Sequence, residues 1–313
     1  MTDASLLCIG NLTIDDLVVD GTTTTALGGD ALFAALAARR VLADVRMLAP
    51  VGTDLPAPLL QAVAGTGIRI EAARPRDGAT VRNRVTYAAD GSRTWDLLSG
   101  EDAFDAMSVF PEDVVPEALD VDGVLVSAMS LRSQLALGPW LREQTARTAR
   151  PTHTERPRDA DHTLVYLDLQ EDYVLGNERG LLDLLRTCDV FLPSEVEAVA
   201  LAGTTDLELA AARFRDAGPD VVVVKTAERG CVVATSRGTV TVPTVAVDPV
   251  DSTGAGDAFC GAFAAAHVAG ADPEDAARHG AEAARVAIGG HGVAALLAEH
   301  GIAASLAEAG GHR

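Results

Sequence analysis

An α/β fold, built as a three-layer sandwich around a mostly parallel sheet with a small β-sheet beside it, is what this 313-residue sequence predicts, on three observations. Short apolar runs of strand character alternate with Ala- and Leu-rich helical stretches. Two β-prone segments, 11–27 and 80–98, break that alternation. Late in the chain a turn of small residues, bounded by two aspartates, opens onto an apolar helix. Strand–helix alternation puts helices on both faces of a parallel sheet, whose ligands sit at the carboxyl ends of the strands. One domain spanning 1–313 is expected, with the two segments inserted in it.

Residues 6–9 read as a buried strand closed by Gly10, and similar runs recur at 123–127, 163–169, 189–192 and 221–224. Helical stretches lie between them, for example at 31–42 and 207–217. Within the inserted segments, Val18-Val19, the threonines 22–25, and residues 81–87 and 93–97 suggest exposed hairpin-like strands, with a turn at Ala89-Asp90-Gly91-Ser92. They form either a lid that excludes water from a site or an extension of the central sheet. Residues 149–162 read as a solvated loop. A second hairpin, 231–235 with 239–245 around Ser236-Arg237-Gly238, leads into the aspartate-bounded turn, and 273–306 reads as packing helices with a frayed tail.

A formal charge of −20 argues against binding nucleic acid or an anionic membrane, because either partner would repel such a surface. Four cysteines, Cys8, Cys188, Cys231 and Cys260, are scattered without a C-x-x-C pair and read as buried thiols in a reducing compartment. Seven histidines show no metal-ligand spacing, so no metal cage built from protein side chains is expected. The first residues lack a signal-type pattern, and no apolar run approaches eighteen residues, so a cytoplasmic location is expected.

The turn is Asp251-Ser252-Thr253-Gly254-Ala255-Gly256-Asp257, followed by apolar residues 258–266. A helix start has unpaired backbone N–H groups and the positive end of the helix dipole, and Gly254, Ala255 and Gly256 are small enough for an anion to approach that main chain. A carboxylate beside an anion site would be repelled unless it had work there. Asp257 is therefore a candidate general base for a hydroxyl attacking a phosphoryl group, and a helix start should favour its ionised form. The alternative is a helix-capping Asp257 in a tight strand-to-helix connection.

At this point the sequence resembles the ribokinase-like sugar kinases, the PfkB family. The specific match is Asp-x-Thr-Gly-Ala-Gly-Asp at 251–257, with weaker pieces in the family's order over nearly the whole chain. The resemblance implies ATP as phosphoryl donor, Mg2+, a monovalent cation such as K+, and a small sugar or polyol as substrate. It implies Asp257 as base, the N–H groups of Gly254, Ala255 and Gly256 as anion hole, and Asp251 as its partner near substrate and monovalent cation. Asp15, Gly28, Gly29 and Asp30 would meet the substrate. Glu197 would organise magnesium, with Ser194 where the family has Asn, and Lys225, Thr226, Ala227 and Gly230 would hold the nucleotide, with Ala227 at a usual glycine. Phe33 stands at or near an Asn that hydrogen-bonds the sugar in many members, which turns the expectation away from ribose. Trp95 and Tyr87 offer either stacking surface or lid-core packing, and Asp168 either lines the cleft or caps a helix. A nucleoside or inositol kinase, or a catalytically silent sugar or nucleotide sensor, are the alternatives. Relatives that pair through the lid make it the expected homodimer contact.

Overall fold

The computed structural model describes residues 3–71, 76–88, 93–147 and 162–302. Its strands are β1 (Ser5–Ile9), β2 (Thr13–Val19), β3 (Thr22–Gly28), β4 (Asp44–Leu48), β5 (Arg69–Ile70), β6 (Val81–Tyr87), β7 (Arg93–Leu97), β8 (Gly123–Val126), β9 (Leu164–Leu167), β10 (Val190–Phe191), β11 (Val221–Lys225), β12 (Cys231–Thr235) and β13 (Gly238–Val242). Nine form one sheet in the order β13-β12-β11-β10-β9-β8-β1-β4-β5, parallel from β5 to β11 and antiparallel in the two edge pairings that end at β13. The expected second hairpin is therefore an edge of the main sheet, and Pro243, which lacks an N–H, follows its last strand.

Period-2 alternation shows why the sheet is buried on both faces. Leu6 and Cys8 of β1, with Val221 and Val223 of β11, pack on one side; Leu7, Ile9, Val222 and Val224 pack on the other. The first face is covered by helices Asp30–Ala38, Ala255–Val268 and Pro273–Ala287, and the second by Leu131–Arg147, Glu195–Ala202 and Leu207–Ala217 among others. A Cβ at Gly261 would overlap the Ala34 backbone, so this glycine lets Ala255–Val268 sit directly against Asp30–Ala38. That close crossing fixes the start of one helix against the start of the other.

The two inserted segments do not extend the main sheet. They form a separate four-stranded sheet in the order β3-β2-β6-β7, in which β2 and β6 run parallel. The turn expected at 89–92, most of the loop expected at 149–162 and the tail beyond 302 lie outside the described residues. Helix Asp30–Ala38 stops four residues short of the expected 42, and Leu131–Arg147, with Pro139 inside it, is a helix that the sequence reading did not single out.

Candidate active site

Gly254 takes the left-handed conformation (φ 72°) as the residue before helix Ala255–Val268, and a Cβ there would overlap the Phe33 ring. No side chain caps this helix, so its first-turn N–H groups are left to a ligand or solvent. Asp257 is the third residue of the helix, not its cap. The helix start lies between two cavities. Ala255 and Gly256 line one of about 490 Å³, together with Ser194, Lys225, Ala227 and Phe259. Gly254 and Asp257 line the other, of about 440 Å³, together with Asp30, Asn11, Asn83 and the lid residue Trp95.

The charges around that partition are unbalanced. Asp168 at the end of β9 and Lys225 at the end of β11 meet over the short β10, with Lys225 Nζ donating to both carboxylate oxygens at 2.8 Å. Burial works against the lysine's charge, and Asp168, Cys260 and Glu197 together more than reverse it. Three further carboxylates surround this pair. Burial and the Asp168 charge push Asp257 up to about 6 and Glu197 up to about 7. Burial and the Asp257 charge hold Asp30 well above the usual range. The expectation that the helix start would favour an ionised Asp257 is overturned, because desolvation and a neighbouring anion outweigh the dipole.

Glu197 also closes a capping box: Ser194 N–H donates to its Oε2 at 2.7 Å, and Glu197 N–H donates to Ser194 Oγ at 3.2 Å. Thus Ser194 serves as a helix cap in place of the family's Asn. Among the described residues no cluster of three or more His, Cys, Asp or Glu is arranged to hold a metal ion. A magnesium ion fits this wall as a guest of phosphate and water, because Glu197 and Asp257 offer hard carboxylate oxygens whose charge, opposed by burial and by Asp168, a divalent cation would stabilise.

The other predicted site residues divide into those facing a cavity and those behind one. Gly29, Asp30 and Phe33 face the lid cleft; Thr226, Ala227 and Gly230 face the other cavity. Phe33 is 2% exposed and works mainly as the floor under Gly254. Ala227 adopts φ 50°, the left-handed conformation that explains why a glycine is usual there. Asp15, Gly28 and Asp251 stand behind the lining. Asp15 Oδ1 accepts from the Thr13 hydroxyl at 2.8 Å and from Asn83 Nδ2 at 2.9 Å, and a Cβ on Gly28 would overlap its carboxylate.

Asp251 accepts from Tyr87 Oη at 2.6 Å, Thr253 N–H at 2.8 Å and Gly292 N–H at 2.9 Å. Burial opposes its ionisation, yet these donors hold its carboxyl below the usual range. A partner set of donors fits an anchor for the lid and does not fit a cation ligand. Tyr87, whose ring also meets His291 at 4.8 Å, is thus lid-core packing, while Trp95 faces the cleft.

Sequence reasoning missed Asn11 and Asn83 as lining groups, and the Asp168–Lys225 pair as a pair. Each of the latter ends a parallel strand, which was the available signal. It also missed the far wall of the cleft, where the Tyr173 hydroxyl donates to Glu101 Oε2 at 2.6 Å.

A three-layered α/β core, a lid, and a bare helix start flanked by two cavities define a small-molecule kinase class of architecture. The pattern of the pfkB family carbohydrate kinases matches residues 4–299, and the chain belongs to that family. It is 29% identical over 284 residues to a cytidine kinase of Thermococcus kodakarensis, covering 90% of this chain and 94% of the relative. Among solved structures, adenosine kinase from Sinorhizobium meliloti superposes with a TM-score of 0.77 at 20% identity, covering 95% of this chain and 98% of the other. Ribokinase from Thermotoga maritima does so with a TM-score of 0.71 at 22% identity, covering 92% and 94%. These two show the ribokinase-like fold. No helix among the described residues is long and apolar enough to cross a membrane.

Proposed function

We propose that the protein is an ATP-dependent phosphotransferase acting on a hydroxyl of a small sugar, nucleoside or related polyol. The observation that carries this reading is the helix start shared by two cavities: Ala255 and Gly256 on one side, Gly254 and Asp257 on the other. The larger cavity, walled by Val245, Val247, Phe259 and Ile288, suits an adenine, with Lys225 at its inner end toward the phosphates. The lid cleft takes the acceptor alcohol.

The N–H groups of Gly254, Ala255 and Gly256 meet the charge that develops on the transferring group. Asp257 accepts the hydroxyl proton as the substrate oxygen bonds to the γ-phosphorus and the bond to the bridging oxygen breaks, releasing ADP. Glu197 would hold a magnesium ion against the phosphates, and that ion would supply neutralisation of phosphate charge. Lys225 is kept charged and pointed by Asp168. Asp15 fixes Asn83 and Thr13, and Asp251 fixes the lid, so both support substrate binding from behind. Buried, unpaired thiols at all four cysteines support a cytoplasmic setting. A homodimer through the lid belongs to the same reading and rests on its edge strands β3 and β7.

The test is Asp257→Asn, with ADP release measured on sugars, inositols and nucleosides. Turnover should fall by about 10²–10⁴-fold while calorimetry shows ATP still bound. Wild-type-like turnover in the variant removes the mechanism; ligand binding by the wild type with no ADP release on any alcohol favours a sensor.

A further inference from the structure

The lid cleft is one-sided in its chemistry. Six of the described residues lining it are carboxylic acids, Asp30, Glu101, Glu171, Asp172, Glu197 and Asp257, and none is Lys, Arg or His. Its floor adds two acceptors without partners. Asn11 and Asn83 are 1% and 6% exposed, and the Oδ1 of each has no hydrogen-bond partner. Their orientation is fixed, since Nδ2 of Asn11 donates to the Met107 carbonyl and Nδ2 of Asn83 to the Asp15 carboxylate, partners that only accept. A buried amide oxygen left unpaired costs about 1–3 kcal/mol, which a ligand hydroxyl recovers. The cleft therefore asks for hydrogen-bond donors and repels phosphate or carboxylate groups on the acceptor molecule.

Its walls ask for a flat ring. Trp95 lines the cleft from the lid yet is 47% exposed, an unusual position for a tryptophan unless something covers it. Phe104 and Tyr173 line it from the main domain, with Tyr173 tied to Glu101. Glu171 and Asp172 immediately precede that tyrosine on the same short helical turn, where their carboxylates can accept from an amino group.

We propose that the acceptor is a nucleoside whose base carries an exocyclic amino group. Its sugar hydroxyls donate to Asn11 and Asn83, its base stacks against Trp95, and its amino edge faces the Glu171–Asp172 wall. A keto group there would set acceptor against acceptor, which makes the preference selective. This inference deepens the kinase reading and rests on it for the reaction, though not for binding.

The test is isothermal titration calorimetry on the full chain and on Asp257→Asn, without ATP, using cytidine, uridine, adenosine, inosine, ribose and 2-dehydro-3-deoxygluconate. Cytidine or adenosine should bind at least tenfold more tightly than its keto counterpart and than either sugar. Trp95→Ala should weaken that binding by about tenfold, within the 1–3 kcal/mol a stacked base provides, and leave ribose binding unchanged. Glu171→Gln combined with Asp172→Asn, both exposed, should reduce the amino-over-keto ratio below about threefold, since a side-chain amide also donates. Equal binding of amino and keto bases, tighter binding of a sugar or sugar acid, or no binding of amino nucleosides overturns the inference even if ADP is released on another alcohol. Tight amino-nucleoside binding without ADP release leaves it standing and removes the kinase reading instead.

Discussion

Asp257→Asn should make the protein more stable at the same time as it destroys turnover, and the gain should depend on pH. Burial and the neighbouring Asp168 raise the Asp257 carboxyl from 3.8 to about 6. At about 1.4 kcal/mol per pH unit, ionising it in the folded chain costs about 3 kcal/mol relative to the unfolded chain. The folded state binds the proton more tightly, so this penalty is absent below about pH 4, grows as pH rises, and is complete above about pH 6. An asparagine carries no charge and avoids it. Since the amide does not reproduce every carboxylate contact, a gain of about 1–3 kcal/mol is expected, or roughly 2–6 °C in Tm for a chain of this size. The assay is thermal unfolding of both proteins from pH 4 to pH 8 without nucleotide. Coincident melting at pH 4 and a separation opening toward pH 8 would support the argument. A pH-independent difference, or a less stable variant at pH 8, would refute the claim that the base is held against its own charge.

The same raised acidity places the acid limb of kcat/KM near pH 6, with a tenfold loss per unit below it, measured with saturating nucleotide. Lys225→Met should destabilise by about 3–5 kcal/mol by leaving Asp168 buried without its counter-charge; adding Asp168→Asn should recover part of this in a double-mutant cycle of denaturant unfolding. Ala227→Gly should stabilise by about 0.5–1 kcal/mol, because a left-handed φ of 50° strains a side chain and suits glycine. Tyr87→Phe removes the hydroxyl that holds the lid to Asp251, worth about 1.5–3 kcal/mol as a bond to a charged group; acceptor KM and substrate-free ATP hydrolysis should both rise. Unchanged values of both would show that the lid is held by other contacts.

The parts of this protein legible in its sequence are those whose physics is local. Residues 251–257 spell out a turn, a helix start and a carboxylate in one stretch, and 207–217 is a helix by its own periodicity. Glu197 shows the limit of local spelling: Ser-x-x-Glu reads equally as a capping box or a cation-organising element, and the structure displays the first while leaving room for the second. What stayed hidden depends on which strands become neighbours. Asp168 and Lys225 are 57 residues apart and meet only because β10 alone separates β9 from β11. Asn83 matters because the lid aligns it with Asp15 across a parallel pairing that no hairpin rule anticipates. Asp257 was legible in place but not in charge, since its acidity is set first by burial and then by Asp168, which comes from the end of a strand 89 residues earlier in the chain.

Asp251 joins what enters to what is transferred. The carboxylate that receives Tyr87 from the lid also receives the N–H of Thr253, the residue immediately before Gly254. Swinging the lid outward would withdraw the Tyr87 tether from the turn that leads into helix Ala255–Val268. In the kinase proposed above, admission of an acceptor and rigidity of the cradle would thereby be geared together through a single carboxylate.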